Sequence, residues 1–212
     1  MEIALDICIR HAKPEEADVV SGLIHSAGPE IYDYVFGEGR QGAREFIAAE
    51  CRSVRGLCGY ATLLVAVHAE QVVGVACFFD ATEHGKMQRA TLRNILLHYG
   101  FRRFWSVFAR AWNVAPVLSR PGPQELCLRN FAVAPEKRGQ GIGSALIRHG
   151  IAEARVRGLR RLILDVAENN PKARALYARL GFKSAKATRC RNPRAASRIP
   201  ESICMILDVV PD

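Results

Sequence analysis

No two cysteines in this sequence form a CxxC pair, and their number, seven, is odd. They stand far apart, at positions 8, 51, 58, 77, 127, 190 and 204. A secreted disulfide framework or a zinc site needs closer, paired spacing, so the thiols read as reduced and the compartment as cytoplasmic. The six histidines are equally scattered, and no metal is expected. No apolar run approaches the ~20 residues that cross a bilayer. Charges at Glu2, Asp6 and Arg10 break up the opening stretch, which excludes an apolar signal core there. Internal repeats and low-complexity segments are also missing. One absence is local: between residues 84 and 124 there is no Asp or Glu, while Lys86, Arg89, Arg93, Arg102, Arg103, Arg110 and Arg120 all fall there.

What is present suits one globular domain over residues 1–212, with 49% apolar and 24% charged residues. The net charge of +9 favours an anionic partner, which could be nucleic acid, a membrane surface or a phosphorylated cofactor. No nucleic-acid module is recognisable, so nucleic acid is not expected.

Ile3 to Ile9 alternates as a strand does, and Pro14-Glu15-Glu16 starts a helix that runs to about Ala27, where Gly28-Pro29 breaks it. A second helix is expected from Gly42 to Arg55. Thr62–His68 and Gln71–Phe79 read as strands around a tight turn at Ala69-Glu70, the second of them apolar enough for the sheet centre. Leu92, Ile95, Leu96 and Tyr99 keep helical spacing, as do Phe101, Phe104, Trp105, Phe108 and Trp112. The 84–120 segment therefore reads as a pair of basic amphipathic helices inserted between strands. Four roles stay open for it: core cover with arginines facing water, a lid over an acceptor pocket, a homodimer contact, or peripheral membrane contact.

Glu125–Ala134 is the next strand, followed by a loop and a helix from Gly143 to Arg157. Arg161–Val166 is a buried strand, Pro171–Leu180 a helix with Gly181 as its left-handed cap, and 182–188 and 203–209 a closing strand pair. The basic loop at 189–198 reads as mobile.

The loop Arg138-Gly139-Gln140-Gly141-Ile142-Gly143-Ser144 lies between a strand and a helix. Amides at a helix N-terminus bind anions, glycines let a phosphate approach the backbone, and Arg138 adds a cation. The bland alternative is a loop that merely turns the chain. A Rossmann dinucleotide site is a further alternative, with Asp165 about 20 residues on. Ser144 in place of the last glycine, and the gap between strand and loop, weigh against it.

Residues 133–146 and 170–182 carry a resemblance. Arg138, Gly141 and Gly143 match the acetyl-CoA signature of the GNAT superfamily of N-acetyltransferases. Asn170, Ala173, Tyr177 and Gly181-Phe182 match its second motif at the family's spacing. The resemblance implies an α/β (α+β) fold: a central, mixed, mostly antiparallel twisted sheet of 6–7 strands flanked by helices, with a helical insertion before the cofactor strand. It implies acetyl-CoA as cosubstrate. Amides of Phe131, Ala132 and Val133 would hold the pantetheine arm and thioester carbonyl, and Gly139, Gln140, Gly141, Ile142, Gly143 and Ser144 the pyrophosphate. Asn170 would hydrogen-bond the arm, although Asn170-Pro171 also reads as a helix cap, and Ala173 would let the cofactor pass. Tyr177 would protonate the leaving thiolate, its alternative being a packed core tyrosine.

An attacking amine must lose its proton first. The base is left among Glu125, Glu168 and water, with Glu125 placed first as catalytic. The acceptor, a small-molecule or peptide amine, is expected near 25–40, where Glu30, Asp33 and Glu38 could meet a cation and Tyr32, Tyr34 and Phe36 could line it. The functional alternative is an acyl-CoA sensor on the same fold without turnover.

Overall fold

β-Branched and aromatic residues at Gln71–Phe79 favour an extended, buried strand, and that strand is near the centre of the sheet. The computed structural model describes residues 7–37 and 42–209. Its strands are β1 (Cys8–His11), β2 (Leu63–His68), β3 (Gln71–Phe79), β4 (Glu125–Val133), β5 (Arg161–Ala167), β6 (Lys183–Thr188) and β7 (Ser202–Asp208). They form one seven-stranded sheet in the order β1-β2-β3-β4-β5-β7-β6. Only β4 and β5 run parallel. A dinucleotide fold needs successive parallel βαβ units, so that alternative is corrected here.

The tight turn expected between β2 and β3 is present, with Ala69 and Glu70 at φ 47° and 62°. Two left-handed residues match the twist of the flanking strands. The first strand begins at Cys8; the Ile3–Asp6 part of its expected range lies outside the described residues.

The helices are α1 (Ala17–Ser26), α2 (Pro29–Phe36), α3 (Ala43–Cys51), α4 (Ala81–Val114), α5 (Ile142–Val156), α6 (Pro171–Arg179) and α7 (Pro193–Ala196). Pro14–Glu16 forms a 3-10 turn leading into α1. Residues 29–36 form a helix that periodicity did not announce, with Pro29 in its first turn. Two apolar cores flank the sheet. One, holding Phe78, Leu126, Leu128, Leu146, Leu164 and Tyr177, lies under α5 and α6. The other, holding Val20, Ile24, Ile47, Phe79, Cys127 and Ile163, lies under α1 and α3.

The insertion starts earlier than expected, because Asp80 caps α4: its carboxylate accepts from the amides of Thr82 and Glu83, and Glu83 returns a bond to Asp80 N. Gly100 (φ 70°, ψ 169°) breaks α4 into two arms, the expected helix pair. A third core forms where α2, α3 and both arms meet around Phe36, Phe46, Ile95, Tyr99 and Val107. The 189–198 segment is held in this core and is not an open loop. Cys190, Ala195 and Ile199 are buried against it, and Arg191 N donates to Asn113 O at 2.8 Å.

α5 lies so close to β3 that a methyl group on Gly150 would fall 2.1 Å from the Phe78 ring. Gly150→Ala is expected to cost about 1–3 kcal/mol by overpacking, read as a lower urea midpoint at unchanged slope.

Candidate active site

The site begins with a break in β4. β3 and β4 pair regularly except for a register shift between Val75 and Cys77, and Asn130 stands opposite the shift at φ 53°. This is a β-bulge, and it carries one extra residue into β4. The bulge also resets which way side chains point. Leu126 and Leu128 face the α5–α6 core and Cys127 the opposite one; beyond the bulge, Phe131 and Val133 face α5 and α6 again.

Asn130 is held on three sides. Its Oδ1 accepts from Tyr32 Oη at 2.6 Å, and its Nδ2 donates to Leu57 O at 2.8 Å and to Cys58 Sγ at 3.4 Å. Asparagine tolerates the left-handed region because its short amide can bond locally. Just before the bulge β4 and β5 separate: they pair only from Glu125–Leu128 with Arg161–Leu164. The edges of 129–133 and 165–167 then line opposite walls of a wedge.

The wedge is part of a cavity of 1950 Å³ that reaches both faces of the sheet. On the α5 side it is lined by Gly139–Ser144, the backbone from Asn130 to Val133, and Asn170, Ala173 and Tyr177. Thus every residue expected to hold the cofactor is in one cavity. Gly139 and Gly141 have φ 77° and 82°, with nothing within 4 Å of a built Cβ. Gly141 caps α5 without a side-chain hydrogen bond, so the first-turn amides are available to an outside anion. Arg138 is tied back by its Nε to Val133 O at 3.1 Å, and Lys137, Arg148, Lys172 and Arg179 also line this end. An uncapped cradle among five cations fits a pyrophosphate.

Asn170 is the cap of α6: its Oδ1 accepts from Ala173 N at 3.1 Å. Tyr177 is 6% exposed, with its ring 6.1 Å from Phe131 and 5.8 Å from Phe182. Burial pushes its phenol up, so it stays protonated as a donor.

Neither carboxylate expected as base is in the cavity lining. Glu125 lies six residues before Phe131, roughly 20 Å along the strand. Its carboxylate accepts from Gly122 N at 2.8 Å and meets Arg161 at 3.4 Å. Glu168 is exposed beyond β5. Asp165, the first residue of β5 past the fork, does line the cavity. It accepts from Ser119 N and Oγ at 2.7 and 2.6 Å, with Arg129 at 3.9 Å. Burial raises its carboxyl against the lowering effect of Ser119 and Arg129.

Sequence reasoning missed Asp165 as an acid, and missed Asn130, Glu50 and His84. Glu50 is 2% exposed and accepts from Thr91 Oγ1 at 2.6 Å; burial raises its carboxyl. His84 stacks on Phe79 at 5.2 Å, and burial lowers its imidazole to about 4. Of the expected acceptor residues, Glu30, Tyr32 and Phe36 line the cavity. Asp33 instead pairs with His25 at 2.9 Å, and Tyr34 Oη accepts from Asn113 at 3.4 Å. Glu38 lies outside the described residues.

A glycine-capped helix beside a split parallel strand pair combines an anion cradle with an open cleft between strands. Residues 33–182 match the model of the Acetyltransferase (GNAT) family, and the chain belongs to that family, which uses acetyl-CoA as cosubstrate. The chain is 40% identical over 85 residues to the [Ribosomal protein bS18]-alanine N-acetyltransferase of Escherichia coli K12, covering 40% of this chain and 57% of that enzyme. It is 39% identical over 79 residues to the streptothricin acetyltransferase of Streptomyces lavendulae, covering 37% and 36%. The match thus spans 57% of the first of these relatives and 36% of the second. Among solved structures, an N-acetyltransferase from Staphylococcus aureus Mu50 superposes with a TM-score of 0.73 at 17% identity, covering 94% of this chain and all of that one. That likeness shows the fold.

The bulge gives a direct test. Asn130→Ala removes the bonds to Tyr32 and Leu57 and places a Cβ in the left-handed region. Asn130→Gly loses the same bonds without that strain. The alanine variant is expected to be less stable by about 1 kcal/mol, measured by denaturant unfolding.

Proposed function

We propose that this protein transfers an acetyl group from acetyl-CoA to a primary amine by direct attack in a ternary complex. One observation carries the reading: a single cavity joins the uncapped glycine cradle, the wedge between β4 and β5, and the buried carboxylate of Asp165. The donor's phosphates would rest on the α5 amides from Gly139 to Ser144, with Arg138 beside them. Its arm would lie in the wedge against Phe131, Ala132 and Val133, passing Asn170 and Ala173. Edge amides in the wedge would meet the oxygen that gains charge when the amine attacks the thioester carbonyl.

Asp165 is the base of choice for the attacking nitrogen. It stands at the fork, and a carboxyl raised by burial holds a proton better than an exposed one. As the carbon–sulfur bond breaks, Tyr177 would give its phenolic proton to the departing sulfur. The buried surroundings that destabilise a phenolate destabilise a thiolate equally, so geometry decides the transfer. Glu30 and Tyr32 at the cavity's other end suit a cationic acceptor. The relatives' names span a ribosomal-protein alanine and streptothricin, which supports an amine on a peptide or small molecule.

Thiol release from acetyl-CoA against a panel of amines, amino acids and peptide N-termini tests the proposal. Acetyl-CoA binding with no turnover on any acceptor would favour the sensor reading instead. With a working acceptor, Tyr177→Phe is expected to lower kcat by roughly 100- to 10,000-fold; an unchanged kcat removes Tyr177 from catalysis. Because Asp165 must be ionised to act, kcat/KM should fall on the acid side through a carboxyl raised above its ordinary value. Asp165→Asn should lower the plateau and abolish that limb; a limb that persists assigns the base elsewhere.

A further inference from the structure

The helical insertion buries only part of its apolar surface. In the second arm of α4, Val107 and Val114 enter the core, but Phe101 is 70% exposed, Trp105 55% and Trp112 53%. With Phe108 these residues recur at helical spacing and form one outward stripe. Their rings touch: Phe101 and Trp105 meet edge to face at 6.1 Å, as do Trp105 and Phe108 at 6.2 Å. Before the Gly100 break, Leu96 and Leu97 on the first arm are exposed as well. The residues that helical spacing marked as a core face are thus divided, and the larger aromatics point outward.

The charge carried by the insertion itself is almost all of one sign, the nearest carboxylate from outside it being Glu45 of α3, which acts on His98 and Tyr99. Lys86, Arg89, Arg93 and Arg102 are exposed on the same insertion, and no acid occurs from 84 to 124. Arg191 lies over Trp112 at 4.5 Å and adds another cation at the stripe's far end. A second copy docked stripe to stripe would bring these cations face to face, which opposes association. An anionic lipid surface satisfies both features: phospholipid headgroups attract the cations, and Trp and Phe favour the headgroup boundary. Among the described residues no helix is long and apolar enough to cross a membrane, so the contact would lie in the surface plane.

We propose that the outer face of the insertion, with Phe101 and Trp105 at its centre, docks this protein onto anionic phospholipid. Phe108 and Trp112 belong both to this face and to the cavity lining, so docking brings that wall of the cavity to the interface. The inference does not rest on the transferase reading.

The chain carries its own probe, because Trp105 and Trp112 are its only tryptophans. Vesicles of phosphatidylcholine with an equal part of phosphatidylglycerol are compared with phosphatidylcholine alone, using the whole chain. Tryptophan emission should shift to shorter wavelength, and protein should co-sediment, with the anionic vesicles only. Added salt should weaken both effects. The double variant Phe101→Ser, Trp105→Ser should reduce partitioning roughly tenfold or more while its thermal midpoint is held. If that variant does not fold, Arg89→Glu with Arg93→Glu should reduce partitioning instead. No shift and no sedimentation with wild type overturns the proposal. Equal binding to neutral vesicles also overturns it, as does a dimer that the double variant abolishes without any vesicle binding.

Discussion

The hydrogen bonds that hold Asn130 in the left-handed region are what the site depends on. β4 and β5 stop pairing at Leu128 and Leu164, and the bulge follows two residues later on the strand that forms one wall of the wedge. The extra residue also turns Phe131 and Val133 toward α5 and α6, where Phe131 meets Tyr177. Tyr32 on α2 and the backbone at Leu57 both contribute to this hold. Contacts from α2 and from the segment after α3 therefore fix the strand that lines the α5 side of the cavity.

The two ends of the cavity are chemically distinct. The α5 end offers glycine backbone and cations, which suits a phosphorylated donor. The opposite end holds neutral His84 and the buried carboxyl groups of Asp165 and Glu50. Removing these groups from water raises their carboxyl pKa values, and a protein accepts that cost where the group has a task or a full set of partners. Glu50 has partners in Thr91 and Asn94. Asp165 has Ser119 and Arg129, and it also faces the wedge.

Much of this was legible in the sequence, for local reasons. The glycine loop, the Asn170-Pro171 cap, Gly181 and the Ala69-Glu70 turn are written in neighbouring residues, and each is found where it was read. The bulge was not legible, because asparagine at one strand position carries no sign that its backbone will turn left-handed. Glu125 was placed first as the base, while the carboxylate at the fork comes from β5, brought there by pairing that sequence spacing does not state. The 189–198 segment looked loose because Cys190 and Ala195, with Ile199 just beyond it, find their core on α4, far away in sequence. The Asp80–Glu83 capping box could have been read and would have fixed the start of the insertion.

The placement of that insertion has a consequence for chain entropy. β3 and β4 are antiparallel neighbours that a two-residue turn could join, yet residues 80–124 run between them. Loop-closure entropy rises only with the logarithm of length, by about 0.6 kcal/mol per doubling. Replacing a tight turn by this segment therefore costs the sheet about 3 kcal/mol. The burial of Ile95, Tyr99 and Val107 against α2 and α3 can offset a cost of that size. The sheet can therefore carry a long segment between two central strands without losing the pairing of those strands.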